Sequence, residues 1–155
     1  EGGIGNYKAG ANYAGTLLPG DEVMAKGFSQ ICWLDAKEKK YIEEVGTSNI
    51  AFVIDGKLIT PSLDRGTILP GVTRDTVVQL AKEWNIPLVA SDVTEAFATG
   101  TAAVISPVGL MRWKDREVII NDQKIGQISQ KLYDEITDIQ YGKKEDKRGW
   151  TVLVK

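Results

Sequence analysis

The segment KKYIEEVGTSNIAFVIDGKLITP, residues 39–61, predicts antiparallel strands joined by tight turns. β-Branched and aromatic residues stand on both sides of Asp55-Gly56, a dipeptide that favours two-residue hairpin turns because both positions tolerate positive φ. We therefore expect strands on either side of this turn.

Further short strands are indicated along the chain. Gln30–Ala36 reads as a buried strand, and a strand pair is expected within TAAVISPVGLMRW and REVIIND. The last residues, GWTVLVK, read as a closing strand.

Amphipathic helices alternate with these strands. Residues Thr73–Trp84 place apolar side chains at helical spacing, and Asn12–Gly27 is expected to be helical with a kink or split at Pro19-Gly20. No repeat or low-complexity linker divides the chain, so residues 1–155 are predicted to be one domain of mixed α+β or α/β class. Another helix carries its apolar residues at Ile125, Ile128, Leu132, Ile136 and Ile139.

Composition excludes several kinds of site. The 155 residues are 43% hydrophobic, which suits a globular core, and the net charge of −2 with scattered basic residues indicates neither a nucleic-acid nor a membrane partner. No histidine is present, so histidine triads and histidine metal sites are excluded, and no metal site is expected. A single cysteine, Cys32, and no visible signal peptide or apolar span make a cytoplasmic protein the expectation.

One lysine stands apart from the other charges. Lys8 lies in GNYKAGANYAG with no charged residue between Glu1 and Asp21, and small neighbours leave its amine accessible. An incidental lysine in a glycine-rich loop is the alternative interpretation.

Two glycine turns offer anion sites. Pro70-Gly71 precedes the helix that begins near Thr73, so helix dipole and free amides favour an anion there, and Gly100-Thr101 offers another hydroxyl beside two alanines. The alternatives are an N-cap threonine and an ordinary turn before a strand.

A lysine nucleophile, a carboxylate in IEEVGTSN and two phosphate-type turns are the parts of a pyridoxal phosphate enzyme. The chain resembles the C-terminal, large domain of the branched-chain amino acid aminotransferases, in the fold type IV class of pyridoxal phosphate enzymes. The matching blocks occur in family order over nearly the whole chain: GGIGNYKAGANYAG, CWLDAKEKKYIEEVGTSNIAFVI, LITPSLDRGTILPGVTRD, FATGTAAVISPVG and LYDEITDIQYG. The resemblance implies a pseudo-barrel of strands flanked by helices.

The resemblance also implies roles for individual residues. Lys8 would hold the pyridoxal 5'-phosphate as a Schiff base and shuttle the proton at the substrate α carbon. Tyr13 would bond the phenolic oxygen of the cofactor and border the substrate, although a core aromatic is an equal alternative. Glu44 would pair with the pyridine nitrogen, while neighbouring Glu43 is expected to face solvent.

The same resemblance divides the remaining site residues between the cofactor and the substrate. Leu69, Gly71, Val72, Thr73 and Thr101 are implied on the cofactor side, the last three at the phosphate, and Thr47, Ala102 and Ala103 on the substrate side.

The implied reaction transfers the amino group of leucine, isoleucine or valine to 2-oxoglutarate, giving glutamate. An N-terminal domain that contributes to the site and a homo-oligomer are expected partners. The family's longer connection is reduced here to residues 91–94. The alternatives are an isolated or redesigned domain without turnover, and another fold type IV activity such as D-amino acid transamination or aminodeoxychorismate lyase chemistry.

Overall fold

The computed structural model describes residues 2–86 and 93–152. Their core is a six-stranded antiparallel sheet in which β1 to β6 pair in the order β1-β2-β3-β5-β6, with β4 also on β3. The mixed architecture with an antiparallel sheet is thus confirmed. The strands are β1 (Cys32–Leu34), β2 (Ile42–Val45), β3 (Ser48–Ile54), β4 (Lys57–Ile59), β5 (Val93–Gly100) and β6 (Val104–Pro107).

The predicted hairpin is confirmed. Asp55 and Gly56 both have positive φ, and β3 and β4 pair across them from Ile54↔Lys57 to Phe52↔Ile59. The expected strand pair in the later segment is also present as a separate ribbon, formed by β7 (Leu110–Trp113) and β8 (Arg116–Ile119). The predicted Gln30–Ala36 strand is shorter than expected, at three residues.

Two longer helices cover one face of the sheet. They are α3 (Val72–Glu83) and α4 (Gln127–Gln140), and both lie where the apolar periodicity predicts them. Ile125 is an exception, since it precedes α4 and is exposed. The buried core between the helices and the sheet comprises Ala51, Val53, Leu58, Val77, Leu80, Ala81, Phe97, Ile105, Leu132 and Ile136.

The position predicted for the break in the first helical segment is wrong. Two helices form, α1 (Gly10–Ala14) and α2 (Leu17–Met24), and they separate at Gly15-Thr16 rather than at Pro19-Gly20. Pro19 is the third residue of α2, where an N–H has no intrahelical acceptor, so its missing donor costs nothing. The Thr16 hydroxyl donates to the Tyr13 carbonyl oxygen at 2.7 Å and closes the turn.

The predicted closing strand is also wrong for the residues described there. Residues 149–152 have no strand pairing, because the Asp146 carboxylate accepts the backbone N–H of Thr151 at 2.6 Å and its hydroxyl at 2.9 Å. The last three residues of the segment lie outside the described part. Arg148 Nε donates to both carboxylate oxygens of Glu83, at 2.9 and 3.0 Å, and this contact connects the tail to α3.

A buried carboxylate caps the N-terminus of α4. Glu95 of β5 accepts the backbone N–H groups of Ile128 and Ser129 at 2.9 and 2.8 Å, and the Ser129 hydroxyl at 2.6 Å. The N-cap residue, Gly126, makes no side-chain cap of its own. A carboxylate from a strand therefore satisfies the free donors at the helix N-terminus. Among the helices described, none is long and apolar enough to cross a membrane.

Candidate active site

A cavity lies where the sheet meets the N-terminus of α3. Its enclosed part holds about 70 Å³, roughly the space of two water molecules, so a larger ligand would extend into the open mouth. Lys8 and Val72 are exposed at that mouth. The cavity is lined by Lys8, Glu44, Thr47, Ser48, Asn49, Leu69, Gly71, Val72, Thr73, Thr99, Gly100 and Thr101.

A row of polar residues crosses three strands beside this cavity. Glu44 of β2 pairs with Asn49 of β3, and Asn49 pairs with Thr99 of β5. Directly opposed residues of antiparallel strands share a face, so the three side chains lie on one side of the sheet. Asn49 is 6% exposed and Thr99 is 2% exposed. The Thr99 Oγ1 has no hydrogen-bond partner among the described residues, and a ligand in the cavity could supply one.

Burial governs the charge of Glu44. It raises the pKa of the Glu44 carboxyl to about 7, and the neighbouring Glu43 carboxylate adds to the increase, while the Leu69 N–H and the Lys8 ammonium act to lower the pKa. Glu44 Oε1 accepts from Asn49 Nδ2 at 3.1 Å and from the Leu69 N–H at 3.3 Å. A basic nitrogen on a ligand could therefore share a proton with this carboxylate near neutral pH.

Glu43 is not a simple solvated residue, which corrects the expectation. It is half-buried, and its Oε1 accepts the hydroxyl of Thr67 at 2.6 Å. The 67–69 segment thus contacts both adjacent glutamates.

The N-terminus of α3 forms the anion-favouring end of the site. Gly71 is the N-cap residue and makes no side-chain cap, which leaves the first amides of the helix without an intrahelical acceptor. The alternative of Thr73 as an N-cap is therefore wrong, because Thr73 is the second residue of the helix and lines the cavity. Free amides and the helix dipole favour a negative group here.

A second turn faces the same cavity. Gly100 ends β5, and Thr101 follows it, with both residues lining the cavity. A Cβ at Gly100 would come within 3.1 Å of the Ser48 hydroxyl oxygen. Ala102 and Ala103 continue the turn, are exposed and lie outside the cavity lining, so their predicted substrate contacts stay predictions.

A short loop delivers Lys8 to the other side of the site. The Asn12 side chain donates to the carbonyl oxygens of Ile4 and Tyr7 at 2.8 and 3.0 Å, which closes the loop before α1. Gly5 packs against the backbone of Thr67, since a Cβ at Gly5 would lie 2.2 Å from the Thr67 carbonyl oxygen. The loop carrying Lys8 is thus seated against the segment that contacts both glutamates.

The residues predicted from the sequence largely converge here. Eight of them line the cavity. Tyr13 lies next to this group, because the Lys8 Nζ is 4.7 Å from the centroid of the Tyr13 ring. The eight are Lys8, Glu44, Thr47, Leu69, Gly71, Val72, Thr73 and Thr101.

Gly100, predicted as part of the second anion-favouring turn, also lines the cavity, and three lining residues were missed: Ser48, Asn49 and Thr99. The sequence did contain an indication for Asn49. Its polar amide stands directly before the apolar run IAFVI, where a buried position is expected, and a buried amide needs a hydrogen-bond partner. The place of Thr99 depends on strand register, which local sequence does not give.

A larger depression, of about 580 Å³, lies along the exposed side of α4. Its lining includes Lys131, Lys144, Asp134, Glu135 and Asp138, and Lys144 pairs with Glu135. The cavity beside α3 is the one that combines a nucleophilic amine, a half-buried carboxylate and an anion-favouring helix end. These groups suit a ligand with an anionic group, a basic nitrogen and an electrophilic carbon.

Comparisons with known proteins agree with this chemistry. Residues 5–110 match the family model described as amino-transferase class IV. The chain is 47% identical to a probable branched-chain-amino-acid aminotransferase of Staphylococcus aureus (strain N315), over 99% of this chain and 47% of the relative. It is 48% identical to branched-chain-amino-acid aminotransferase 2 of Bacillus subtilis (strain 168), over 99% of this chain and 46% of that protein.

Solved structures of branched-chain amino acid aminotransferases are also similar to this chain. The branched-chain amino acid aminotransferase of Escherichia coli superposes with a TM-score of 0.82 at 31% identity, over 97% of this chain and 51% of that one. The branched-chain amino acid aminotransferase of Thermobaculum terrenum, solved in its PLP-form, has a TM-score of 0.72 at 30% identity, over 92% of this chain and 47% of that one. The chain spans about half the length of the relatives it matches.

Proposed function

Because the chain belongs to the amino-transferase class IV family, we propose that it forms the cofactor-binding half of a branched-chain amino acid aminotransferase. The enzyme would transfer the amino group of leucine, isoleucine or valine to 2-oxoglutarate and release glutamate. One observation carries the proposal: Lys8, Glu44 and the N-terminus of α3 line a single cavity. The names of its relatives support the choice of substrate.

The residues of the cavity fit pyridoxal 5'-phosphate. The free amides of α3 suit its phosphate, and the half-buried Glu44 suits its ring nitrogen. The Thr99 hydroxyl, which has no partner among the described residues, faces a cavity that a ligand would fill. When bound, this group supplies an aldehyde carbon that accepts the amino group and a ring that takes up electrons from the substrate α carbon.

Lys8 would hold the aldehyde carbon through its Nζ and then move the proton at the substrate α carbon. The small residues around it, and its exposure at the mouth of the cavity, let a substrate amine reach the same carbon. Tyr13 lies beside Lys8 and would donate its hydroxyl proton to the phenolic oxygen of the cofactor.

Glu44 would keep a proton on the ring nitrogen. Its raised pKa, near 7, means that a proton is shared easily between the carboxylate and a basic nitrogen at neutral pH. A protonated ring accepts electrons better than a neutral one, so this carboxylate would govern turnover more than binding.

The other lining residues would hold the phosphate and the substrate. The amides of Val72 and Thr73 and the Thr101 hydroxyl would contact the phosphate, with Gly71 and Leu69 forming the turn beside it. On the substrate side, Thr47 would line the path, and the amides of Ala102 and Ala103 would receive the substrate carboxylate.

The open mouth of the cavity is an argument for a partner domain that covers it. Because Lys8, Val72 and Thr101 are exposed, another part of the protein would have to exclude water from the reacting atoms. We propose that an N-terminal domain of the same enzyme covers this side and that the active form is a homo-oligomer.

A spectroscopic assay tests the function. The chain is mixed with pyridoxal 5'-phosphate, and the visible absorption of the lysine-bound cofactor is recorded before and after addition of L-leucine, L-isoleucine, L-valine or D-alanine. The three branched-chain amino acids should convert the absorption to that of the amine form, and 2-oxoglutarate should restore it. Faster conversion by D-alanine would indicate another class IV activity, and absorption without conversion by any amino acid would indicate a binding domain without turnover.

Turnover is then compared for the chain alone and with the N-terminal half of the Staphylococcus aureus relative added in trans. We expect little turnover alone and an increase on addition. Full activity from the chain alone would show that the site is self-contained.

A further inference from the structure

Asn49 connects the two ends of the candidate site. Its Nδ2 donates one hydrogen bond to Glu44 Oε1 at 3.1 Å and another to the carbonyl oxygen of Leu69 at 2.8 Å. Leu69 lies in the turn that leads to the N-cap of α3 at Gly71. One amide group therefore contacts both the half-buried Glu44 carboxylate and the turn that leads into the anion-favouring helix.

The other side of the same amide packs against Gly71. A Cβ added at Gly71 would lie 2.2 Å from Asn49 Oδ1, so the turn approaches Asn49 as closely as a glycine permits. The position of the helix N-terminus relative to β3 is thus set by the Asn49 side chain.

The hydrogen bonds also orient Glu44. Both donors to the carboxylate, Asn49 Nδ2 and the Leu69 N–H, contact Oε1. The second oxygen, Oε2, has no hydrogen bond within the described ranges 2–86 and 93–152, and Glu44 lines the cavity. One oxygen is therefore fixed while the other remains available to a ligand.

We propose that Asn49 is a positioning residue that fixes the separation between the Glu44 carboxylate and the N-terminus of α3, so that one ligand can engage both. The proposal rests on the function given above, in which these two groups bind opposite ends of pyridoxal 5'-phosphate.

Asparagine is suited to this role by its shape and its two donors. Aspartate has the same shape but no donor, and it would place a negative charge beside Glu44. Glutamine has the donors but is one methylene longer, and the close approach of Gly71 leaves no room for it. The charged groups that act on Glu44 are Glu43 on its own strand and Lys8 on the loop before α1.

The physical consequence is a preorganised site. A ligand with two ends gains affinity beyond that of its separate halves when the two subsites are held at the matching distance. Loss of Asn49 should therefore reduce the affinity for the intact cofactor more than the affinities for its halves.

The experiment measures three ligands on the 155-residue chain: pyridoxal 5'-phosphate, pyridoxal without phosphate, and inorganic phosphate. Asn49→Asp and Asn49→Ala are compared with the parent. Asn121→Ala serves as the control because its amide donates to the Lys124 carbonyl oxygen on an exposed turn and does not line the cavity. Urea unfolding reports the stability of each variant.

For both Asn49 variants, we expect the affinity for pyridoxal 5'-phosphate to fall about tenfold or more, and the affinity for each half to fall less than about threefold. The bound cofactor's absorption in Asn49→Asp should also titrate at higher pH than in the parent, because the new carboxylate disfavours ionised Glu44. Asn121→Ala should match the parent in every binding measurement, although its stability should be slightly lower because Asn121 has a positive φ that alanine adopts less readily.

Equal losses for the intact cofactor and for its halves would overturn the proposal and leave Asn49 a structural residue. If Asn49→Ala does not fold, Asn49→Asp still tests the loss of the donors at unchanged side-chain shape, and its affinities for the two halves report the effect of the added charge. Failure of the parent to bind pyridoxal 5'-phosphate would instead contradict the proposed function. The two failures are thus distinguishable.

Discussion

The Nζ atom of Lys8 lies 4.7 Å from the centroid of the Tyr13 ring. An ammonium group over an aromatic face is stabilised by about 0.5–1 kcal/mol at an exposed site, enough to bias the lysine towards one side of the cavity. Tyr13 belongs to α1 and Lys8 to the loop before it, so the contact ties the reactive amine to that helix. The loop itself is closed by Asn12.

Lys8 is expected to be the lysine that binds the cofactor. Lys8→Ala should abolish the visible absorption of the lysine-bound cofactor and all transamination. The free energy of unfolding should fall by no more than about 1 kcal/mol, because the side chain is exposed and loses its contact with the Tyr13 ring. Lys26→Ala, at another exposed lysine, is the matched control and should keep the absorption. Retained absorption in Lys8→Ala would assign the cofactor to a different lysine.

Glu44 should affect turnover more than binding. In Glu44→Gln we expect the affinity for pyridoxal 5'-phosphate to remain within about tenfold of the parent, and the transamination rate to fall by about two orders of magnitude, because the ring nitrogen loses its charged partner. Single-turnover absorbance with L-leucine gives the rate. An unchanged rate would remove Glu44 from this role.

Glu44 should also make the stability of the cofactor-free chain depend on pH. Its pKa is about 7 in the folded chain and about 4.3 in an unfolded one, so the folded state binds the proton more tightly. The resulting stabilisation is complete below the unfolded pKa and is lost as the pH rises through the folded pKa. Since Glu44→Gln does not titrate, its free energy of unfolding relative to the parent should increase from about pH 5 to about pH 8. Urea unfolding at several pH values measures this difference, and a flat difference would show that burial does not raise the pKa.

Thr99 is expected to contact the ligand through its unpartnered hydroxyl. Thr99→Val keeps the shape and removes a buried hydroxyl without a described partner, so the free chain should be as stable as the parent or more stable by about 1 kcal/mol. The affinity for pyridoxal 5'-phosphate should nevertheless fall roughly five- to tenfold.

Thr60→Val is the matched comparison for Thr99. The Thr60 hydroxyl donates to the Ile50 carbonyl oxygen at 2.8 Å, so this variant should lose about 1 kcal/mol of stability and keep its affinity. Urea unfolding and a fluorescence titration with the cofactor measure both quantities. An unchanged affinity in Thr99→Val would exclude a ligand contact.

Glu95 should be important for stability because, from strand β5, it caps the N-terminus of α4. Glu95→Ala leaves two buried backbone donors and the Ser129 hydroxyl without their charged acceptor, and we expect a loss of about 3 kcal/mol in the free energy of unfolding. Glu117→Ala removes only an exposed pair with Arg112 at 3.8 Å, and it should change stability by less than about 0.5 kcal/mol. Similar effects of the two substitutions would contradict the capping role.

Much of the fold could be predicted from short stretches of sequence, and the candidate site could be predicted from several such stretches taken together. The hairpin at Asp55-Gly56 depends on two adjacent residues that adopt positive φ, and α3 depends on apolar spacing within a single helix. Lys8, Thr73 and Thr101 became candidates because their motifs, taken together, match those of a known family, whereas each motif alone is also compatible with an ordinary loop, cap or turn. The hairpin and the helix are local features, determined by backbone geometry and periodicity over a few residues.

Two expectations were wrong because contacts outside the residues considered decide the outcome. Pro19 is compatible with a helix because α2 begins two residues before it. The start of α2 is set by the turn at Thr16 and not by the proline. Glu43, expected in solvent, is half-buried against Thr67.

Strand β5 shows the same division most clearly. Along one of its faces, Glu95 caps α4, Phe97 is fully buried in the core, and Thr99 lines the site. The alternation of these residues is a local property of a strand, and the sequence determined it. Their three different roles follow from the pairing of Asn49 with Thr99, fifty residues away in the chain, and from the placement of α3 and α4 on that face. Only tertiary packing decides such contacts, because the free energy that selects a strand register comes from burying the whole face at once.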